Sequence, residues 1–483
     1  MRFAWVKADE KNAIRFFNEN EHSIRTKFER DRDRILYSKA FRRLSGKTQI
    51  FISGYDDHAR TRLIHTLEVA QIAKTIGKNL GLDLDLIEAI AIGHDIGHTP
   101  FGHAGERALN LIMNNCETLN KFGVKLKDSD KGFKHNFQGV RQVVDIESIS
   151  NNYKGLNLTN YTLCGILIHS KYNAKMKCKN DLVKDKDKST SDETICNYRS
   201  KRKKCNSEGN LLFNYYKKYI DLIKIDNSWT IEALVVKIAD EIAQRHHDVE
   251  DGLIAGLIKS ADLYDVFIDI FRKYMTKEDI RILEAIKNET DLELLLPLYS
   301  KLIVNFFVMN LINQSKVNIR NLIINFDIKS NEDFHHLKSQ IYNKVDISKL
   351  INYDKELYEL EDEFQDYLYN SILNSHKVQS MDGKAYYIIR QLFKAYLSNP
   401  QQLPDIVIQN FFNDIIKNGM FEKSEMTVGE MRTVLRKNYD QNPYDGWKAL
   451  LLRNITDYIA EMTDNMAYEQ YNLLYGPTKN YRL

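Results

Sequence analysis

The tightest constraint on this chain is its shortage of helix breakers: six prolines and 21 glycines among 483 residues, with long spans that hold neither. Proline costs a helix interior about 3 kcal/mol and glycine about 1 kcal/mol, so spans free of both favour helix over strand or loop. Apolar residues in those spans recur at helical spacing. Val69, Ile72, Ala73, Ile76 and Leu80 form one such face; Leu86, Ile87, Ile90 and Ala91 form a second. Ile231, Leu234, Val235, Ile238 and Ile242 form a third, all in the i, i+3, i+4, i+7 pattern of a buried helical stripe. Gly81 suits the left-handed residue after a helix, and Asp83 or Asp85 suits the cap of the next. Further helices are expected over Tyr353–Ser375, Gly383–Leu397 and Trp447–Leu474, with breaks at Asn399-Pro400, Leu403-Pro404 and Gly476-Pro477. The expected fold is all-α, with a core over residues 1–258 and a helical C-terminal region, 259–483, packed on it.

A formal net charge of +3 gives no global field for polyanions. Charge is instead local. Residues 174–205 hold eleven Lys or Arg against five Asp or Glu and almost nothing apolar, so this stretch reads as a mobile basic insertion. Lys201-Arg202-Lys203-Lys204 within it suits either a solvated loop or a grip on nucleic acid. Arg42, Arg43 and Lys47 read as a basic rim beside an inward stripe of Ile35, Phe41 and Leu44. The five cysteines lack metal-knuckle spacing and a disulfide framework, which suits a reducing compartment. The N-terminal residues show no signal-peptide core, and no apolar run approaches the roughly 20 residues that span a bilayer. A cytoplasmic protein without a membrane segment is expected.

Chemistry concentrates in one run, His94-Asp95-Ile96-Gly97-His98-Thr99-Pro100-Phe101-Gly102-His103-Ala104-Gly105-Glu106-Arg107, in a chain with only thirteen histidines. An adjacent imidazole and carboxylate offer the mixed N/O donors that manganese-, iron- or magnesium-type sites accept. His65 lies one helix earlier, and antiparallel helices across Gly81 would bring it to His94 and Asp95. Arg62 is its helical neighbour at i−3. Asp240, Gln244 and Asp248 recur at i, i+4 and i+8 on a later helix. That stripe faces either solvent or a ligand, one carboxylate then completing the metal site. His135-Asn136-Phe137-Gln138-Gly139-Val140-Arg141 is a polar helix start suited equally to an exposed cap or a substrate loop.

Taken together, His65, His94-Asp95 and a later helical Asp resemble the H…HD…D signature of the HD-domain metal-dependent phosphohydrolases. The flanking words resemble the bacterial dGTPase-like branch: Ala40-Phe41-Arg42-Arg43-Leu44, Lys47-Thr48-Gln49, Arg60-Thr61-Arg62, Gly97 to Glu106, His247-Asp248-Val249-Glu250-Asp251-Gly252-Leu253, and Asp457 to Asp464. The likeness spans nearly the whole chain apart from 174–205. It implies an all-α HD core and His65, His94, Asp95 and Asp240 as ligands of a divalent ion, Mn²⁺ or Mg²⁺, with Fe, Co or Ni as alternatives. It places His103 and Glu106 near the scissile phosphate with His98 and His135 beside them, Arg62 on a phosphate, and Gln49 and Asp248 by the deoxyribose near its 3′-hydroxyl. Gln244 stands where the branch commonly has a tyrosine, which bears on nucleotide preference.

The reaction so implied is hydrolysis of a dNTP, dGTP among them, to deoxynucleoside and inorganic triphosphate by water attack at the α-phosphorus. Cations must hold the triphosphate in line; Arg62 with Lys47, Arg107 or Arg141 are the candidates. His103, oriented by Glu106, is the candidate for proton transfer, to the leaving oxygen or from the water. The resemblance also implies a homo-oligomer, with a hexamer one form, and a nucleotide or single-stranded nucleic acid as effector. Two rival readings share the residues: an HD phosphohydrolase acting on another nucleotide ester, such as a cyclic nucleotide or an alarmone, and a nucleic-acid-responsive regulator built on the HD fold.

Overall fold

The computed structural model describes residues 2–49, 60–116, 126–173, 175–177, 182–183, 195–196, 210–422, 425–439 and 446–476. Much of the basic 174–205 insertion, Lys201 to Lys204 included, lies outside the described residues. The fold is all-α. In chain order the helices that matter here are α1 (Lys27–Leu36), α2 (Arg62–Leu80), α3 (Leu84–Gly93), α4 (Gly102–Met113), α5 (His135–Arg141), α6 (Asn160–Ile168), α7 (Ile231–Ile254), α8 (Leu292–Asn325), α9 (Trp447–Glu461) and α10 (Asp464–Tyr475). Among the described residues, strands are confined to two short antiparallel pairs: β1 (Lys175–Lys177) with β4 (Asn210–Leu212), and β2 (Leu182–Val183) with β3 (Ile195–Cys196).

The chain forms two compact units that interleave in sequence. One comprises Met1–Ile96, Gly139–Lys171 and Ile220–Asp382; the other comprises Gly97–Gln138, Tyr172–Tyr219 and Gly383–Leu483. Neither coincides with residues 1–258 or 259–483.

In the first unit, local signals set the helix ends. The Thr61 side chain accepts from the Ile64 amide to start α2, which ends where Gly81 turns left-handed at φ 71°. The Asp83 carboxylate accepts from the Leu86 amide, three residues on, and starts α3. Such caps satisfy donors that a first turn leaves without partners. α7 is the central helix and packs against α2, α3, α6 and α8. Its expected stripe, Ile231, Leu234, Val235, Ile238 and Ile242, is buried, and so are Ala233, Val236, Ala239, Ala243 and Val249 between and beyond those positions. Each large aliphatic side chain so buried contributes about 1.5–3 kcal/mol. With so much of its circumference covered, α7 has no simple solvent-facing stripe. Asp240 keeps a quarter of its side chain exposed, while Asp248 is buried.

Three sequence readings change in this unit. Lys47 is 2 % exposed and belongs to no rim, whereas Arg42 is exposed and donates to the Tyr37 carbonyl. Residues 292–325 form one 34-residue helix apolar enough by length and composition to cross a membrane. Half of its most apolar window is buried, and α8 packs on α7 and α2 as a core helix. The expected Tyr353–Ser375 helix runs as Lys355–Leu368, capped by Asp354, followed by a π-turn at Tyr369–Leu373.

In the second unit, the single helix expected over Trp447–Leu474 is two, α9 and α10. Thr463 interrupts it, because its side chain accepts from the Met466 amide and so caps a new helix. α9 packs on the Asp405–Lys417 helix.

Candidate functional site

In the first unit, α2, the end of α3, and α7 bring four of the sequence candidates together. His65 Nε2 lies 2.9 Å from Asp240 Oδ1 and 3.9 Å from Asp95 Oδ2. His94 Nε2 lies 3.4 Å from Asp95 Oδ1 and 3.7 Å from Asp240 Oδ1. One donor atom each from His65, His94 and Asp240 falls within 4.8 Å of the others. His94 Nδ1 bonds the Ala91 carbonyl at 2.6 Å, so it carries the proton and Nε2 keeps the lone pair. That Nε2 is buried and has no hydrogen-bond partner among the described residues. Burial pushes the Asp240 carboxyl up, but the hydrogen bond with His65 and the charges of His94 and His65 outweigh it and hold the group low. Two imidazoles and two carboxylates that converge in this way fit a divalent cation with N/O preference. The donor set does not select which ion.

The phosphate-arginine candidate, Arg62, is 2 % exposed and gives Nη1 to Asp95 Oδ2 at 2.8 Å. Its Nε has no partner among the described residues. A short backbone ladder aligns the Lys47–Gln49 segment with it: the Arg62 amide donates to the Lys47 carbonyl at 2.9 Å, and the Gln49 amide to the Arg60 carbonyl at 3.4 Å. Gln49 Oε1 is buried without a hydrogen bond among the described residues. On α7, Gln244 is half-buried, and Asp248 Oδ1 is likewise without a described partner. Burial pushes the Asp248 carboxyl up to about 7, with Arg245 opposing and Asp251 adding to the rise. Arg141 ends α5 buried, with Nη1 3.5 Å from Asp145 Oδ2.

A second cluster belongs wholly to the second unit. Thr99 Oγ1 donates to the Gly102 carbonyl at 2.9 Å, and Phe101 takes the left-handed region at φ 60° before α4 begins. A side chain at Gly105 would meet the Pro100 carbonyl oxygen at 2.2 Å, so the turn closes onto α4 only with glycine there. His98 and His135 stack with ring centroids 3.9 Å apart, and His103, exposed, lies edge-on to both at 5.6 and 6.3 Å. Glu106 Oε2 accepts from the His135 amide at 3.2 Å and pairs with His135 Nδ1. The carboxylate expected to orient His103 is thus hydrogen-bonded to His135. Burial pushes Glu106 up, yet the charge and hydrogen bond of His135, with His103 and His98, hold it well below the ordinary carboxylate range. His135 is buried and is no exposed cap. Arg107 lies with Cζ 6.0 Å above the Tyr386 ring.

Sequence reasoning passed over what braces this turn. The Phe101 amide donates to Asp464 Oδ1 at 2.8 Å, and the Phe101 ring meets Tyr468 edge-on. Gln138 Nε2 donates to Asp457 Oδ1 at 2.8 Å, and its Oε1 accepts from the Tyr216 hydroxyl. Asp464 is therefore a structural partner of the histidine run, and Asp457 is one of α5. Three further side chains, Glu68, His246 and His247, also lie close enough to share an ion. Burial lowers His246 to about 4 and His247 well below the ordinary histidine range, each helped by neighbouring cations and imidazoles.

Comparison with known proteins agrees with the geometry. Residues 62–158 match the HD domain and residues 351–415 match a phosphohydrolase-associated domain, which together with the His-Asp cluster define an HD-domain protein. Nearly full-length relatives narrow this. The chain belongs to the family of deoxyguanosinetriphosphate triphosphohydrolase-like proteins: it is 31% identical over 463 residues to such a protein from Clostridium tetani, covering 96% of this chain and 89% of the relative. A Rickettsia canadensis relative of the same name is 30% identical over 464 residues, covering 96% and 97%. One from Pelagibacter ubique is 37% identical over 289 residues, covering 58% of this chain and 66% of the relative.

Proposed function

We propose that the protein hydrolyses deoxynucleoside triphosphates, dGTP among them, to deoxynucleoside and inorganic triphosphate, with a divalent cation held by His65, His94, Asp95 and Asp240. The observation that carries this is the buried donor cluster, in which His94 Nε2 keeps a lone pair without a hydrogen-bond partner among the described residues. The names of the relatives supply the substrate class. A bound Mn²⁺- or Mg²⁺-type ion would neutralise charge on the α-phosphate and acidify a nearby water.

The chain's own residues divide the remaining work. Arg62 holds Asp95 through Nη1 and offers Nε to a phosphate oxygen, while Lys47, Arg107 and Arg141 are the other candidate phosphate cations. Gln49 and Asp248, each with a buried oxygen that lacks a described partner, are assigned to the sugar near its 3′-hydroxyl. Gln244 replaces an aromatic surface and bears on base preference. His103, being exposed, is assigned the proton transfer at water or leaving oxygen, and the Glu106–His135 pair with His98 forms its surroundings. Residues 1–258 are proposed as the phosphohydrolase core and 259–483 as a helical region that supports it. A cytoplasmic location suits a sequence whose five cysteines lack a disulfide framework. A homo-oligomer and a nucleotide or single-stranded nucleic-acid effector complete the proposal.

The test is turnover of each dNTP and NTP by purified, chelated protein with and without added Mn²⁺ or Mg²⁺, the products separated by ion exchange. Metal-dependent release of intact triphosphate from dNTPs is expected. Orthophosphate or pyrophosphate as the product would overturn the assignment, and salt-sensitive single-strand binding without turnover would favour a regulator.

A further inference from the structure

Helices α2 and α7 do more than present His65 to Asp240. His65 and Glu68 are three residues apart on α2, and Asp240 and His247 are seven apart on α7, spacings that return to one helical face. The two faces interlock. Asp240 Oδ1 meets His65 Nε2 at 2.9 Å, His65 Nδ1 meets His247 Nδ1 at 3.3 Å, and His247 Nε2 meets Glu68 Oε2. The four side chains thus form one row: carboxylate, imidazole, imidazole, carboxylate. Burial pushes the Glu68 carboxyl up and Glu250 adds to the rise, while Arg60, with Nε 3.4 Å from Glu68 Oε2, opposes it; the same guanidinium is tied to Glu250.

The proton positions along this row are linked. A neutral imidazole carries one proton, and an ionised carboxylate only accepts. Opposite Glu68, His247 Nε2 must therefore bear its proton, which leaves His247 Nδ1 as an acceptor. His65 Nδ1 must then supply the proton between the two rings. His65 Nε2 then faces the Asp240 carboxylate, a gap that a third proton fills in the metal-free protein and a shared cation fills in the loaded one. The opposite polarity would set the bare Nε2 of His247 against Glu68, without a proton between them.

We propose that His247, anchored by Glu68, is a positioning residue that fixes His65 in the tautomer whose Nε2 faces the cation site. This rests on the reading of His65, His94, Asp95 and Asp240 as a metal centre. Partners of this kind behind a histidine ligand typically change metal affinity by roughly 10–100-fold.

The experiment is calorimetric titration of Mn²⁺ into the metal-free full-length protein and its variants. His247→Ala should weaken binding by roughly 10–100-fold, and Glu68→Ala should weaken it in the same direction. His247→Asn, whose amide oxygen occupies the place of Nδ1, should recover most of the loss. Wild-type affinity in His247→Ala overturns the proposal. So does a second Mn²⁺ per chain that is lost in His246→Ala, since a cation on His247 Nε2 would displace its proton. His65→Ala separates the two readings: if it binds Mn²⁺ like wild type, the metal centre itself falls. If His65→Ala loses the ion and His247→Ala does not, only the positioning role falls. Where His247→Ala does not fold, the imidazole ¹⁵N spectrum of the Zn²⁺-loaded wild-type protein decides. A proton on Nδ1 of His65 is expected, and a proton on Nε2 overturns the proposal.

Discussion

Two clusters built from the same residue types, histidine and carboxylate, are wired in opposite ways. In the first unit the side-chain lone pairs converge: His94 spends its proton on a backbone carbonyl, and Asp240 faces His65 and His94 together. In the second unit Glu106 is already engaged, accepting from the backbone and ring of His135 while His98 stacks on that ring. Converging acceptors call for a cation from outside. Under the proposed function, the imidazoles around Glu106, whose carboxylate has an internal donor, serve proton chemistry. Under that proposal, the hydrogen-bond partner of each nitrogen, more than the residue count, distinguishes a metal site from an acid–base site.

The largest effect should come from the first cluster. His65→Ala or Asp240→Ala should lose the bound metal and reduce turnover to background while keeping the helical circular-dichroism signal. Activity that survives either change after chelation would erase the distinction. In the second cluster, His103→Ala should retain metal stoichiometry and lose about 10²–10⁴-fold in kcat, the usual range for a general acid–base group. A near-normal kcat would move proton transfer to His98, His135 or solvent.

Smaller effects sharpen the contrast through pH. Asp248→Ala should cost about 1–3 kcal/mol in kcat/KM for dGTP, from a buried hydrogen bond lost to the sugar. Because the Asp248 carboxyl is raised to about 7 in the fold, against about 3.9 unfolded, stability falls as pH rises between those values. Asp248→Asn should therefore melt several degrees higher than wild type at pH 8 and no higher at pH 4. Glu106 has the opposite sign, since its carboxyl is held low. Its contribution is complete above the unfolded value near 4.3 and is lost as pH falls toward the lowered one. Glu106→Gln should melt a few degrees below wild type at pH 7, with the gap closing in acid. A gap independent of pH would mean that packing, not charge, holds the Glu106–His135 pair.

What the sequence made legible was local. The stripes of α2, α3 and α7, the turn at Gly81 and the cap at Asp83 follow from neighbours a few residues away. His65 could be placed near His94 because one short connection joins their helices. Pairings across long stretches of chain were not legible in the same way. Nothing in the run from His94 to Arg107 says that Glu106 will bond to His135, 29 residues on, when His103 is nearer in sequence. The Phe101–Asp464 bond spans 363 residues and the His65–His247 contact 182. Only packing decides such pairings. The resemblance to a known family supplied Asp240 as a ligand, but the row from Asp240 to Glu68 emerges only once α2 and α7 lie side by side.

The central claim is a metal-dependent attack of water at the α-phosphorus. Turnover of dGTP in ¹⁸O-enriched water, with and without Mn²⁺ after chelation, tests it most directly. The account predicts that one ¹⁸O enters the released triphosphate, that deoxyguanosine carries none, and that both products vanish without the ion. Label in deoxyguanosine, or unchanged turnover in the chelated protein, would contradict it.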